Sequence, residues 1–298
     1  MKRLIIYILL LPAVFLCLDR TISAVLNYGL RQYFGIGSNA DVLMIGHSHL
    51  MLAVDKERLE QGLGVSVAKY CREGVNVFDR QRMIQHYLDT CSAPPKLVLY
   101  SVDPFLFTGK DLSSNSYKLF YPFMDSPVMD AYIRQEAPDV WDYWLHKLIH
   151  TSRYSDALIG SAVRGWRHDW INTKHGRISK TIFDRASQRA MNFEEAHRLS
   201  FEHSVKLLTD QGIKVILINT PVSHGFACRN PEDYERIFSY FRDFAASRVG
   251  VEYLDYNPDY SHNCTIFYDL IHVNSKGQKI LTERMRSDLQ PYISNNTP

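Results

Sequence analysis

Hydrophobic positions along most of the chain alternate between two periods. Asp41–Ile45 is a short apolar run with polar flanks, the pattern of a strand buried on both faces. Val65–Ala68 is a second, weaker run. Leu97–Tyr100, after the breaker Pro94-Pro95, is a third. Val215–Ile218 and Val251–Leu254 complete a set of five. Helical spacing lies between them. Phe78, Ile84, Tyr87 and Leu88 share a face, and so do Phe193, Ala196, Leu199 and Leu207 before Gly212. Asn230-Pro231 reads as a cap followed by a first-turn proline, with Tyr234, Ile237, Phe238, Phe241, Phe244 and Ala245 facing inward. Ser275 opens a last helix whose inner face is Ile280, Leu281, Met285 and Leu289. Strands alternating with helices predict an α/β fold with a parallel sheet covered on both faces.

Two stretches depart from this rhythm. Lys2 and Arg3 precede the unbroken apolar run Leu4–Leu18, after which come Asp19 and Arg20. The run is short of the roughly 20 residues that span a bilayer. It lengthens through Ile22, Ala24, Val25 and Leu26 if Arg20 snorkels. An uncleaved signal anchor over 1–27, a signal peptide cleaved near Ile22-Ser23-Ala24, and a buried helix are the three readings. The basic start places the body outside the cytoplasm in the first of them. The second departure is 104–190, aromatic-rich and holding Trp141, Trp144, Trp166 and Trp170, which is expected to be a mostly helical insertion in an α/β body spanning 41–290.

Composition adds little to this outline. The 298 residues are 46% hydrophobic and 22% charged, enough for a sizeable core. A net charge of +2 gives no reason to expect nucleic acid. Cys17, Cys71, Cys91, Cys228 and Cys264 show no metal-ligand spacing, and no cofactor is implied. Outside the cytoplasm Cys228 with Cys264 is the expected bridge, with free thiols the alternative.

The chemistry sits at the two ends. Ile45-Gly46-His47-Ser48-His49 follows the first strand directly, and Asp269-Leu270-Ile271-His272 precedes the last helix. Sites in parallel sheets lie beyond the carboxyl ends of the strands, so the fold brings both segments to one edge. Ser48 is then a candidate nucleophile, His272 its base and Asp269 the orienting carboxylate. A serine after a strand also caps helices, and Asp-x-x-His also forms surface pairs. Gly74, after the second strand, is a candidate oxyanion donor or simply a turn residue. His47 and His49 flank the serine. Without a third ligand they are not read as a metal pair, and His49 is expected to shape the site or touch substrate. Arg164, Trp166, Arg167, Trp170, Lys174, Arg177 and Lys180 form an aromatic and basic stretch. Trp166 and Arg167 are candidates for binding an anionic sugar or a lipid headgroup, with a solvated helix face as the alternative.

These segments resemble the SGNH/GDSL hydrolase superfamily. Gly46-His47-Ser48-His49 is similar to its first block, Gly74 to the second, and Asp269-x-x-His272 with Asn274 and Gly277 to the last. The resemblance covers about 41 to 290 without the insertion. It implies a flavodoxin-like three-layer sandwich and ester or acyl-transfer chemistry. The third block departs: Tyr100-Ser101-Val102-Asp103-Pro104 stands where the family brings an asparagine, leaving Ser101 as a substitute oxyanion donor. Together with the apolar N-terminus, this is similar to the membrane-anchored branch that includes teichoic-acid D-alanylation and alginate-acetylation proteins. That likeness implies serine-dependent acyl transfer or ester hydrolysis on a cell-surface glycan, beside a membrane-bound O-acyltransferase. A non-catalytic glycan-binding or scaffold protein on the same fold, and a simple anchored esterase, are the alternatives.

Overall fold

The structure is a computed structural model that describes residues 2–108, 115–184, 191–225 and 231–294. In chain order its elements begin with α1 (Lys2–Phe34), β1 (Val42–Gly46), α2 (Ser48–Ala53), α3 (Lys56–Leu63), β2 (Val67–Cys71), α4 (Val77–Thr90) and β3 (Leu97–Val102). Then come α5 (Pro127–Glu136), α6 (Val140–Leu148), α7 (Asp156–Trp166), α8 (Lys180–Phe183), α9 (Glu195–Thr209) and β4 (Lys214–Asn219). The chain closes with α10 (Pro231–Ala246), β5 (Val251–Asp255), α11 (Asn257–Tyr260) and α12 (Ser275–Ser294). Two compact units result, one from 1–34 with 115–169 and the other from 35–114 with 170–298.

The larger unit holds one five-stranded sheet in the order β2-β1-β3-β4-β5, every neighbouring pair parallel. That is the flavodoxin-like order, whose direction of winding reverses between β1 and β3. Alternate residues of each strand point to opposite faces. Val42, Met44, Leu97, Leu99, Ile216 and Ile218 form one core with Leu50, Leu59, Leu281, Met285 and Leu289 of α2, α3 and α12. On the other face, the Tyr100 ring stands edge-on to Phe201 of α9, which packs on Phe241 and Phe244 of α10. With both faces covered, the inner strands β1 and β3 read as nearly continuous apolar runs rather than alternating.

Two elements differ from the expectation. β2 runs to Cys71 because Lys69, polar in sequence, is buried with its ammonium on the Val54 carbonyl. In α9 the inward face is Phe201, Val205 and Leu208, while Leu199 is 51% exposed. Polar Ser200 and Ser204 share the inner face, which hides it from an apolar count. Asn230 and Cys228 lie outside the described residues, so neither the expected cap nor the expected bridge is described. No disulfide joins the described cysteines.

In the smaller unit α1 packs along α7 through small residues. A Cβ on Gly165 would fall 1.8 Å from the Gly29 carbonyl oxygen, and one on Gly29 would fall 2.4 Å from that of Ala162. The Trp166 indole closes the contact by donating to the Val25 carbonyl at 3.1 Å and lying against Tyr28. Leu10–Phe34 is long and apolar enough to cross a membrane, by length and composition. Leu10, Leu11, Phe15, Leu16 and Leu18 are all about half exposed or more.

At the switch point β1 passes β3 without a side chain. A Cβ on Gly46 would lie 2.5 Å from the Ser101 Cβ and 3.3 Å from that of Leu50. Gly46→Ala is therefore expected to cost about 1–3 kcal/mol of stability. Thermal unfolding of Gly46→Ala, Ser101→Gly and the double variant checks the cause: the double variant should recover most of the Gly46→Ala loss. Independent, additive losses would refute the contact.

Candidate active site

β1 ends at Gly46, and the chain turns at once into α2. His47 caps that helix with extended backbone, its Nδ1 accepting the His49 N–H at 3.1 Å, and Ser48 is the first helical residue. The other half of the site comes from the loop before α12. Asn274 holds this loop: its amide donates to the carbonyls of Gly176 and Thr265 at 3.2 and 3.0 Å, and its Oδ1 accepts the Gly277 N–H at 3.0 Å. Gly277 is needed because a Cβ there would sit 2.6 Å from the Ile266 carbonyl oxygen. Loop and turn thus meet at the carboxyl edge of the sheet, as the alternating pattern requires.

His272 lies between Ser48 and Asp269. Its Nε2 is 2.8 Å from the Ser48 Oγ, and its Nδ1 is 2.9 Å from Asp269 Oδ2. An ionised carboxylate only accepts, so Nδ1 carries the ring proton and Nε2 is left to accept from the serine hydroxyl. The Asp269 carboxylate also accepts the N–H groups of Ile271 and His272 at 2.9 and 2.8 Å. Burial alone would raise its pKa. The hydrogen bond and charge of His272, with those backbone donors, outweigh it and hold the carboxyl below its usual range. A hydroxyl, a base in the accepting tautomer and a fixed anion behind it can perform nucleophilic acyl transfer.

A second polar chain backs the first. With His47 Nδ1 accepting, its Nε2 bears the proton and donates to Asp103 Oδ2 at 2.9 Å. Asp103, buried just beyond β3, also accepts the Phe105 N–H at 2.8 Å and faces the buried Arg80 guanidinium at 3.4 Å. Arg80, on α4, donates as well to the Ser101 carbonyl at 2.7 Å. Burial raises the Asp103 pKa, but His47 and Arg80 more than reverse this and keep the carboxyl ionised far below the ordinary range. His47 itself is held neutral by burial, although Asp103 pulls the other way. His49 is buried edge-on to His47 and His272, and its Nδ1 has no hydrogen-bond partner among the described residues. Burial, then the neighbouring His47, push its pKa well down.

These groups line a cleft of about 220 Å³ together with Gly74, Val75, Leu106 and Ile271. Of the residues singled out in sequence, Ser48, His272, His49 and Gly74 come together there, with Asp269 behind His272. Gly74 adopts the left-handed φ of 80°. Ser101 lies buried beneath Gly46, away from the cleft lining, and its hydroxyl has no hydrogen-bond partner among the described residues. Trp166 and Arg167 belong to the smaller unit, where Trp166 packs on α1 and Arg167 is exposed at the end of α7. Arg80 was not foreseen, since nothing in its sequence neighbourhood marks it. The signal that could have found it is Asp103, a lone acid at a strand end that burial obliges to find a cation. His47, His49 and Asp103 have ligand atoms within 4.8 Å of one another, a spacing that could hold a metal ion. The Arg80 guanidinium beside the same carboxylate opposes a second cation there.

No protein-family model matches the chain, and no curated protein does. Solved structures do match it. The C-terminal catalytic domain of Streptococcus pneumoniae peptidoglycan O-acetyltransferase A is 14% identical, over 84% of this chain and 92% of that one, with a TM-score of 0.39. A carbohydrate esterase family 3 protein from Talaromyces cellulolyticus is 12% identical over 86% and 99%, with a TM-score of 0.42. A family two carbohydrate esterase from Clostridium thermocellum is 9% identical over 85% and 64%, with a TM-score of 0.36.

The buried histidines make stability depend on pH. His47 and His49 hold fewer protons folded than unfolded, where histidine titrates near about 6.5. Their contribution is complete above that value and is lost as pH falls below it, by up to about 1.4 kcal/mol per pH unit for each. Thermal unfolding between pH 7.5 and 5.5 should show this loss, and His49→Gln should flatten the slope. An unchanged slope in that variant would contradict the buried, neutral state of His49.

Proposed function

We propose that the chain is a serine-dependent acyl-transfer or ester-hydrolysis enzyme of the SGNH type, acting on an acylated cell-surface glycan. The observation that carries the reading is the hydrogen-bonded series Ser48–His272–Asp269, in the tautomer a general base needs. Ser48 Oγ attacks the acyl carbonyl as its proton passes to His272 Nε2. His272 then returns the proton to the departing alkoxide, leaving an acyl-Ser48 ester. A sugar hydroxyl or water, deprotonated by His272 in turn, releases the acyl group. The backbone N–H groups of Ser48 and Gly74 are the donors this reading assigns to the oxyanion.

The size of the cleft supports a small acyl group. At about 220 Å³ it is below the roughly 300–1,000 Å³ of pockets that engulf a drug-sized ligand. An ester head enters and a polymer stays outside. The placement proposed for the enzyme is the outer face of the membrane, anchored by α1 with Lys2 and Arg3 on the cytoplasmic side, beside a membrane-bound acyltransferase that supplies acyl groups. A non-catalytic glycan-binding protein on the same fold is favoured by one observation: a buried carboxylate, Asp103, stands where the resemblance brings an amide donor.

A fluorophosphonate probe should label the full chain in detergent on Ser48, and Ser48→Ala should lose both labelling and turnover of a short-acyl ester. His272→Gln should lower kcat by about 10²–10⁴. Turnover by Ser48→Ala within a few-fold of the parent would overturn the reading in favour of the non-catalytic one.

A further inference from the structure

Helix α6 is amphipathic and turned inside out. Val140, Trp141, Trp144, Leu145 and Leu148 fall at i, i+1, i+4, i+5 and i+8, one stripe of the helix. All five are exposed, Trp141 at 77%, Val140 at 62% and Leu148 at 61%. The polar residues of the same helix face the protein instead. Tyr121 donates its hydroxyl to Asp142, and the Tyr143 hydroxyl donates to Asp130 at 2.9 Å. Lys147 donates to Asp130 and to the Met124 carbonyl, and His146 stacks on Tyr121 at 3.9 Å. The helix cannot roll its apolar stripe inward without breaking these bonds, so something apolar outside the chain must meet it.

The structure also indicates what that is. The end of α6 is tied to the middle of α1. Arg20 donates to the Leu148 carbonyl at 3.0 Å, and Asp19 accepts the N–H groups of His150 and Thr151 at 2.9 and 2.7 Å. Asp19 and Arg20 are the first charges after the apolar run in which Leu10, Leu11, Phe15, Leu16 and Leu18 are exposed. The Leu148 end of the α6 stripe is therefore tied to α1 at the charges that close the apolar run, within one compact unit, and Ile22 and Val25 beyond them are also about half exposed. Two exposed tryptophans on that stripe, with Arg20 at its Leu148 end, match the chemistry of a bilayer interface.

We propose that α6 lies in the plane of the membrane, its Trp141–Leu148 stripe sunk into the boundary between headgroups and acyl chains. The unit is then held by two elements, a crossing helix and an in-plane one. This rests on the membrane placement proposed for α1, and the experiment separates the two.

The full chain is reconstituted into phosphatidylcholine–phosphatidylglycerol vesicles, with acyl chains brominated at a shallow or a deep position. Parent and Trp141→Phe/Trp144→Phe are compared, both residues being exposed enough that the exchange leaves folding intact. The tryptophan emission lost in the double variant should be blue-shifted, and in the parent shallow bromines should quench it by about half or more, deep bromines less. Protein that floats with the vesicles but whose Trp141 and Trp144 emission stays unquenched would overturn the proposal while leaving the anchor standing. Emission that is blue-shifted yet untouched by bromine would mean a protein partner and would overturn it equally. Protein that fails to float with the vesicles, or is stripped from them at alkaline pH, would remove the anchor and the proposal together.

Discussion

The buried Asp103 carboxylate ties together three segments that must meet before Ser48 has a usable environment. It accepts from His47 in the turn after β1, belongs to the segment after β3, and faces Arg80 on α4. A charge this deep is tolerable only when paired and hydrogen-bonded, and each partner is a separate length of chain. The pairing also fixes the His47 tautomer, which leaves its Nδ1 to accept the His49 N–H and shape the first turn of α2. The position of the candidate nucleophile thus depends on a carboxylate that never touches it.

This arrangement bears on Asp103, which stands where the resemblance to SGNH hydrolases led to the expectation of an asparagine. An aspartate at the mouth of the site would repel a developing oxyanion if it stood alone. Here its charge is offset by Arg80, and its oxygens are occupied by His47 and Phe105. Asp103 and Asp269 each take a proton-bearing histidine nitrogen, but with opposite results. His47 donates from Nε2 and is committed to structure. His272 holds its proton at Nδ1 and keeps Nε2 toward Ser48. The two imidazoles, a few residues from one serine in space, are set to different tasks by which nitrogen meets the carboxylate.

The smaller unit follows a different rule. Where α1 meets α7 the close contacts come from small residues, Gly29, Ala162 and Gly165, which let helix backbones touch, and the large apolar side chains of α6 and of the first half of α1 point outward, while Phe120, Met129 and Ile133 of the same unit are buried. That reversal suits a medium in which burying apolar surface is not the main driving force. The larger unit is built the ordinary way, with aromatic and aliphatic groups packed on both faces of a sheet. Within the smaller unit, α1 and α6 thus carry apolar surface outward beside a buried core, which agrees with the membrane placement proposed for them.

By itself the sequence determined the period of each element, and with it the α/β architecture and the edge where Ser48, Asp269 and His272 meet. Buried parallel strands are apolar on both faces, so their runs stand out even without an alignment of partners. Polar residues hidden by tertiary partners did not stand out in that way. Lys69 shortened the apparent second strand and Ser200 disguised the inner face of α9, because their hydrogen bonds go to other elements, to the Val54 carbonyl and to Gln81 of α4, while Ser204 hides its hydroxyl on the Ser200 carbonyl of its own helix. Ser101 and Arg80 show the same limit in the site. Whether a side chain faces the cleft or the strand beneath it is a matter of register between β1 and β3, and Gly46 meets Ser101 only once that register is set. The outward tryptophans of α6 were legible as aromatic, but their direction was decided by which face found partners in the fold.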